Sequence, residues 1–180
     1  MHIDLNRDKA KSLPSISNPE TIESLRVWFC NYKTLEPLSE FRNLRTLAIA
    51  GYPDTTLNVL RKLKNLNYLR ILHLPKVSDL SPLAELESLE SLSLATLPSW
   101  DASGKKTIVE SVEPISKLPK LKHLELFGVV SKDKSLSAIE QCENLVTACF
   151  SKYPKREMDR FFQKSGVLQK HVPKPVSQAG

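Results

Sequence analysis

"LSPLAELESLESLSL", residues 80–94, places leucine at 80, 83, 86, 89 and 92 and then shortens its step to reach Leu94. A strict three-residue spacing suits neither an α-helix, at 3.6 residues per turn, nor a strand, whose faces alternate every two. It suits a 3₁₀-type turn, in which residues i and i+3 eclipse. The closing pair, Leu92 and Leu94, then shares one face of a short strand. A segment that turns and then extends cannot bury its apolar face alone, so neighbours of the same kind are required.

They are present. The same template recovers Leu35, Leu38, Phe41, Leu44, Leu47, Ile49; Leu57, Leu60, Leu63, Leu66, Leu69, Ile71; and Val112, Ile115, Leu118, Leu121, Leu124, Leu126. Weaker copies run from Leu13 to Val27 and from Leu136 to Phe150, and Ile3 with Leu5 fits the strand half of another. Taking Ile22, Leu44, Leu69, Leu89, Leu121 and Leu145 as strand markers gives uneven steps, the longest from Leu89 to Leu121, in or near the range of roughly 20–29 residues that leucine-rich coils occupy. Leu69 could equally be the second leucine of a motif starting at Leu66, because Leu63, Leu66, Leu69, Leu72 and Leu74 contain an extra triplet. That triplet predicts a longer convex helix in this coil. The longest step carries an insertion within "TLPSWDASGKKTIVES", 96–111, predicted to project from one rim.

The L-x-P-L-x-x-L segments at Leu35-Glu36-Pro37-Leu38, Leu80-Ser81-Pro82-Leu83 and Val112-Glu113-Pro114-Ile115, each leading into L-x-x-L-x-L, resemble leucine-rich repeats of the internalin and phosphatase-regulator types. The resemblance implies an α/β solenoid: a right-handed superhelix with a concave parallel β-sheet and convex 3₁₀ or α segments. It covers residues 1–153 as six to seven coils; 154–168 is then a capping helix and 169–180 a flexible tail. One departure matters. The slot three residues past the strand's last leucine, usually asparagine in the family, holds Asp8, Cys30, Tyr52, Val77, Leu97, Val129 and Tyr153. Without that asparagine ladder, the coils are expected to cohere mainly by apolar stacking, at about 1.5–3 kcal/mol per buried large side chain.

Composition excludes several function classes. Hydrophobic residues make up 41%, enough for a core, yet no run approaches the ~20 apolar residues of a membrane span. "MHIDLNRDKAK" has no signal-like apolar stretch, and the three cysteines form no disulfide framework; Cys30 and Cys142 are expected as buried thiols and the cytoplasm as the compartment. The net charge of +6 is a C-terminal property: residues 1–151 carry 19 basic and 18 acidic groups, residues 152–180 carry 7 and 2. "YPKREMDRFFQKSGVLQKH", 153–171, reads as an amphipathic helix whose Met158, Phe161 and Phe162 cover the solenoid end, leaving a solvated basic face rather than a nucleic-acid patch.

Inward leucines leave alternate strand residues on the concave face, in columns about 4.8 Å apart. The middle column is predicted as Asp4, Arg26, Ala48, His73, Ser93, Glu125 and Cys149, with Trp28 and Phe127 in the column beside it. His73, Ser93 and Glu125 do not make a triad, because the histidine would have to stand between serine and acid, and no Gly-x-Ser-x-Gly elbow occurs. His73 and His123 lie about 10 Å apart by strand spacing, too far for one zinc. Neither metal nor cofactor is expected, and the chain reads as a non-catalytic binder. Its partner-binding candidates are Arg26, Trp28, Arg45, Tyr52, Arg70, His73, Lys122, Glu125 and Phe127 on the concave side, with Trp100, Asp101, Lys105 and Lys106 on the insertion. A protein partner is expected, without small-molecule substrate or membrane. By analogy with short standalone repeat proteins it resembles an inhibitor, such as a bacterial immunity protein that neutralises a toxin, or a regulatory subunit of an enzyme. The competing readings are a nucleic-acid binder acting through the basic C-terminus and a subunit that assembles through its end strands.

Overall fold

A computed structural model describes residues 1–175. The strands are β1 (His2–Asn6), β2 (Ser24–Trp28), β3 (Thr46–Ala50), β4 (Tyr68–Leu72), β5 (Ser91–Ala95), β6 (Thr107–Val109), β7 (His123–Phe127), β8 (Val129–Ser131), β9 (Thr147–Phe150) and β10 (Leu168–Gln169). Eight of them form one sheet in the order β1-β2-β3-β4-β5-β7-β9-β10, each neighbouring pair parallel. The helices are α1 (Pro98–Ala102), α2 (Glu113–Ser116) and α3 (Lys155–Ser165), with 3₁₀ turns at Glu36–Glu40, Asn58–Lys62 and Ser81–Glu85 on the convex side.

The count of threes has a direct backbone cause. Leu83 N–H donates to Leu80 O at 2.9 Å, Leu86 to Leu83 at 3.0 Å, and Leu89 to Leu86 at 2.9 Å. Each leucine thus closes an i→i−3 bond while its side chain fills the core. Pro37, Pro82 and Pro114 sit in the first turn of their helical segments, where a missing N–H breaks no helical bond. The strands then turn Leu25, Leu47, Leu69, Leu92 and Leu124 inward, all 0% exposed, against the convex leucines.

Coil four differs from the sequence reading. Leu47 pairs with Leu69 and Ala48 with Arg70, so the strand marker is Leu66, and the steps through Ile22, Leu44, Leu66 and Leu89 become nearly equal. The convex segment Asn58–Lys62 has the same five residues as its neighbours rather than being longer. The extra triplet falls at the strand's exit: Leu72, the last residue of β4, stands on the concave face, and Leu74 fills the turn slot assigned to Val77. A three-residue beat that continues through the strand exit hides which leucines pair. Only the register with β3 and β5 decides it.

The exit corner has no asparagine ladder, but the entrance corner carries polar staples. Asn43, Asn65 and Asn144, each just before a strand's first leucine, donate to Glu20 O at 2.9 Å, Arg42 O at 3.1 Å and Pro119 O at 2.8 Å in the preceding coil. At the exit, Tyr52 turns inward, 2% exposed, with its hydroxyl donating to Thr56 O. It is therefore a core residue and not part of a binding face. All three cysteines are free thiols.

The insertion lies on the solenoid rather than projecting freely. Its β6 pairs with β8 in a second, two-stranded sheet, and Trp100 on α1 meets His73 edge-on at 4.8 Å. Helix α3 closes the far end: Phe161 is fully buried beside Phe150 and Phe162, at 5.1 and 5.2 Å between ring centres. Gly166, at φ 68°, caps the helix in the left-handed conformation and returns the chain to the sheet. There Leu168–Gln169 pairs with β9, so the segment read as a tail from 169 begins as a strand; residues 176–180 of that segment lie outside the described residues. Among the described residues no helix is long and apolar enough to cross a membrane.

The cap carries a pH dependence. Arg160, hydrogen-bonded to Glu157, together with the Leu136 N–H holds the Glu157 carboxyl down to about 2, against an ordinary 4.5. A carboxyl depressed in the folded state stabilises above its unfolded pKa, and that contribution fades as pH falls from about 4.5 toward 2. Urea melts across this window should show stability dropping with acid, and Glu157→Gln should flatten the slope.

Candidate functional site

In register, the concave face has a first column of His2, Ser24, Thr46, Tyr68, Ser91, His123 and Thr147. The middle column is Asp4, Arg26, Ala48, Arg70, Ser93, Glu125 and Cys149; the third holds Trp28, Ala50, Leu72, Ala95 and Phe127. Arg70, not His73, occupies the central position on β4. His73 has moved three residues along, to the rim, at φ 69° and with its Nδ1 buried and unpartnered among the described residues.

The N-terminal half of the face is an aromatic platform. Asp4 accepts two hydrogen bonds from Arg26, at 2.9 and 3.0 Å, and the Arg26 guanidinium sits 4.5 Å from the Trp28 ring centre. Arg70 approaches the same ring at 5.7 Å. Ala48 and Ala50, although on the sheet's open face, are each only 1% exposed. Small residues in that position need a large neighbour, and Trp28, in register with Ala50, supplies one.

The C-terminal half is hollow. A recess of about 380 Å³ lies between Tyr68, Arg70 and Leu72 on β4 and Glu125 and Phe127 on β7, with Ser93 and Ala95 as its floor. Residues 171–174 close one side as a strap. Glu125 anchors that strap: one oxygen accepts from Ser93 Oγ at 2.8 Å and the other meets His171 Nδ1 at 2.7 Å. His171 also lies 6.2 Å from the Phe127 ring centre. Burial raises the Tyr68 hydroxyl pKa and lowers that of His123.

The arrangement differs from hydrolytic chemistry. Serine, glutamate and histidine do meet, but the carboxylate is in the middle, so among the described residues Ser93 donates to Glu125 rather than to an imidazole. Burial, with Glu125 adding to it, pushes the Cys149 thiol up, away from the nucleophilic thiolate. Among the described residues no cluster of three His, Cys, Asp or Glu converges on a metal position.

The candidates therefore divide. Arg26, Trp28, Arg70, Glu125 and Phe127 come together on one surface. Arg45 and Lys122 stand outside it at the strand entrances, exposed and paired with Glu23 at 3.7 Å and Glu90 at 3.0 Å. On the insertion, Trp100 rests on His73, Lys105 lies 5.8 Å over its ring, and Asp101 pairs with Lys152 at 3.4 Å. Lys106 is exposed. Sequence reasoning missed Tyr68 and Leu72, displaced by the register of coil four, and it missed His171. A helix-stopping Gly166 followed by Val167 and Leu168 was the available signal for a returning strand.

The sequence matches no family model and no curated protein. Among solved structures it is similar to internalin C2 from Listeria monocytogenes, with a TM-score of 0.54 and 24% identity, covering 73% of this chain and 53% of that one. A second internalin from the same bacterium, inlF, gives a TM-score of 0.51 and 22% identity over 83% of this chain and 47% of its own. The chain spans about half the length of these proteins, and at such identities the likeness speaks to the fold. In-register leucines, 3₁₀ turns and a single-direction sheet, together with these likenesses, give this chain a leucine-rich-repeat fold, an α/β solenoid.

Proposed function

We propose that the chain is a non-catalytic protein-binding module that takes its partner on the concave face, between Trp28 and Phe127. The supporting observation is the preformed recess of about 380 Å³ flanked by half-buried aromatic and arginine side chains. Such groups carry most of the energy in protein interfaces, and a sheet that needs no rearrangement keeps the ordering cost of binding low. An inhibitor that blocks a toxin and a regulatory subunit of an enzyme both act through a surface of this kind. The basic C-terminus supports a nucleic-acid reading less well: Lys152, Lys155, Arg160 and Lys164 are already engaged by Asp101, Asp159, Glu157 and Glu140.

The test is capture of a partner from the host's lysate, followed by hydrogen-exchange mapping on the purified complex. Protection is expected across β2–β7 on the concave side, and Trp28→Ala should weaken binding by about 2 kcal/mol or more. Protection confined to α3 or the convex turns, with Trp28→Ala neutral, refutes the reading.

A further inference from the structure

Within that recess the central charge, Arg70, is uncommitted among the described residues. Arg70 projects from the centre of the face, and its Nε is buried with no hydrogen-bond partner among the described residues. Its neighbours in the middle column, Ala48 and Ser93, offer no carboxylate. Glu125, two strands away, has both oxygens occupied, one by Ser93 and one by His171. The Trp28 ring lies 5.7 Å from the Arg70 guanidinium carbon, so the cation rests against an aromatic group and faces the hollow.

The same column shows what satisfies such a group. Arg26, one strand beyond Ala48, is engaged by Asp4 through both carboxylate oxygens. Arg70 stands on the same surface, against the same indole, with no acid paired to it among the described residues. A planar guanidinium with a desolvated N–H edge matches a carboxylate better than a hydroxyl or an amide, because two parallel charge-assisted bonds form at once. Beside it, Leu72, Ala95 and Phe127 give the recess an apolar wall.

We propose that the partner's anchor is an acidic side chain, aspartate or glutamate, carried on an extended segment and seated on Arg70, with an adjacent apolar residue lying over Leu72 and Ala95. This rests on the protein-binding reading above and names the chemistry of its central contact. Charge complementarity selects the occupant: both oxygens of the recess's own carboxylate, Glu125, are hydrogen-bonded within the chain, whereas the Arg70 Nε has no partner among the described residues, and Lys174 adds a second positive group to the lining.

A random-peptide library displayed on phage, panned against the full chain, tests this. Enriched clones should share an acidic residue at a fixed position. Exchanging that residue for its amide, or Arg70→Gln in the protein, should each weaken binding tenfold or more, with the two changes together no worse than either alone. Arg70→Lys, which retains charge but not the fork, should fall between wild type and Arg70→Gln, and thermal melts of both variants should show an intact fold. Clones that depend on Trp28 but carry no common acid, or that bind Arg70→Gln as tightly as wild type, overturn the acidic anchor and leave the protein-binding reading standing. A library yielding no clone sensitive to Trp28→Ala or Arg70→Gln overturns both.

Discussion

Phe161→Ala should destabilise the protein by about 3–5 kcal/mol, the range for truncating a buried aromatic. Phe161 is fully buried and meets Phe150 and Phe162 nearly edge-on, with interplanar angles of 88° and 83°. It is the main apolar anchor of an eleven-residue helix. Isolated helices that short are marginal in water, so α3 depends on this packing for its persistence. Beyond a lower urea midpoint, hydrogen exchange should accelerate in α3 and β10 before the central coils respond, because contacts in a solenoid run only between neighbours. Uniform acceleration across all coils would show that the cap and the array unfold as one unit.

Gly128→Ala should cost about 2–5 kcal/mol, from two additive sources, backbone strain and overpacking. The residue sits at φ +70°, and a Cβ there would lie 2.2 Å from Thr96 Oγ1 and 3.0 Å from its Cγ2. Left-handed backbone costs about 1–2 kcal/mol for an L-residue, and overpacking typically adds about 1–3 kcal/mol. Thr96 has little room to yield, being 3% exposed. The backbone at Gly128 also joins the insertion to the solenoid: its carbonyl accepts from Thr107 N and its N–H donates to Ser151 Oγ. A double-mutant cycle with Thr96→Ala separates the sources, since removing both methyl and hydroxyl should recover most of the steric part, leaving the φ cost and the 3.1 Å approach to the Thr96 Cβ that alanine keeps. Strict additivity between the two substitutions would mean that the clash is relieved by another route.

The fold was legible because one spacing encodes two structures. Leucine at every third position closes i→i−3 bonds, and the shortened final step marks the strand. That legibility failed at coil four, where Leu69, Leu72 and Leu74 keep the beat through the turn and only pairing with Leu47 and Leu92 fixes the strand. The error propagated to the site, placing His73 where Arg70 stands. Arg26, Trp28, Glu125 and Phe127 could be placed because alternation in β2 and β7 is unbroken. Tyr52 could not, because its exit slot faces inward and its hydroxyl finds a carbonyl that no local pattern announces. The strap was hidden for a different reason: proline, lysine and small polar residues beyond 169 suggest a loose end, and its docking depends on Glu125, 46 residues earlier.

The long coil from Leu89 to Leu121 shows how length and phase are separated in this molecule. Across it, Leu92 still faces Leu124 and Leu94 still faces Leu126, although the coils on either side, from Leu66 to Leu89 and from Leu121 to Leu145, are much shorter. A single insertion between Leu80 and Leu94 would throw the following leucines of that coil off beat. Sequence added after β5 is instead absorbed by α1 and β6 at the rim, without disturbing the next strand. That corner is the solenoid's port: a place where new sequence can be installed beside the recess while the repeating scaffold keeps time.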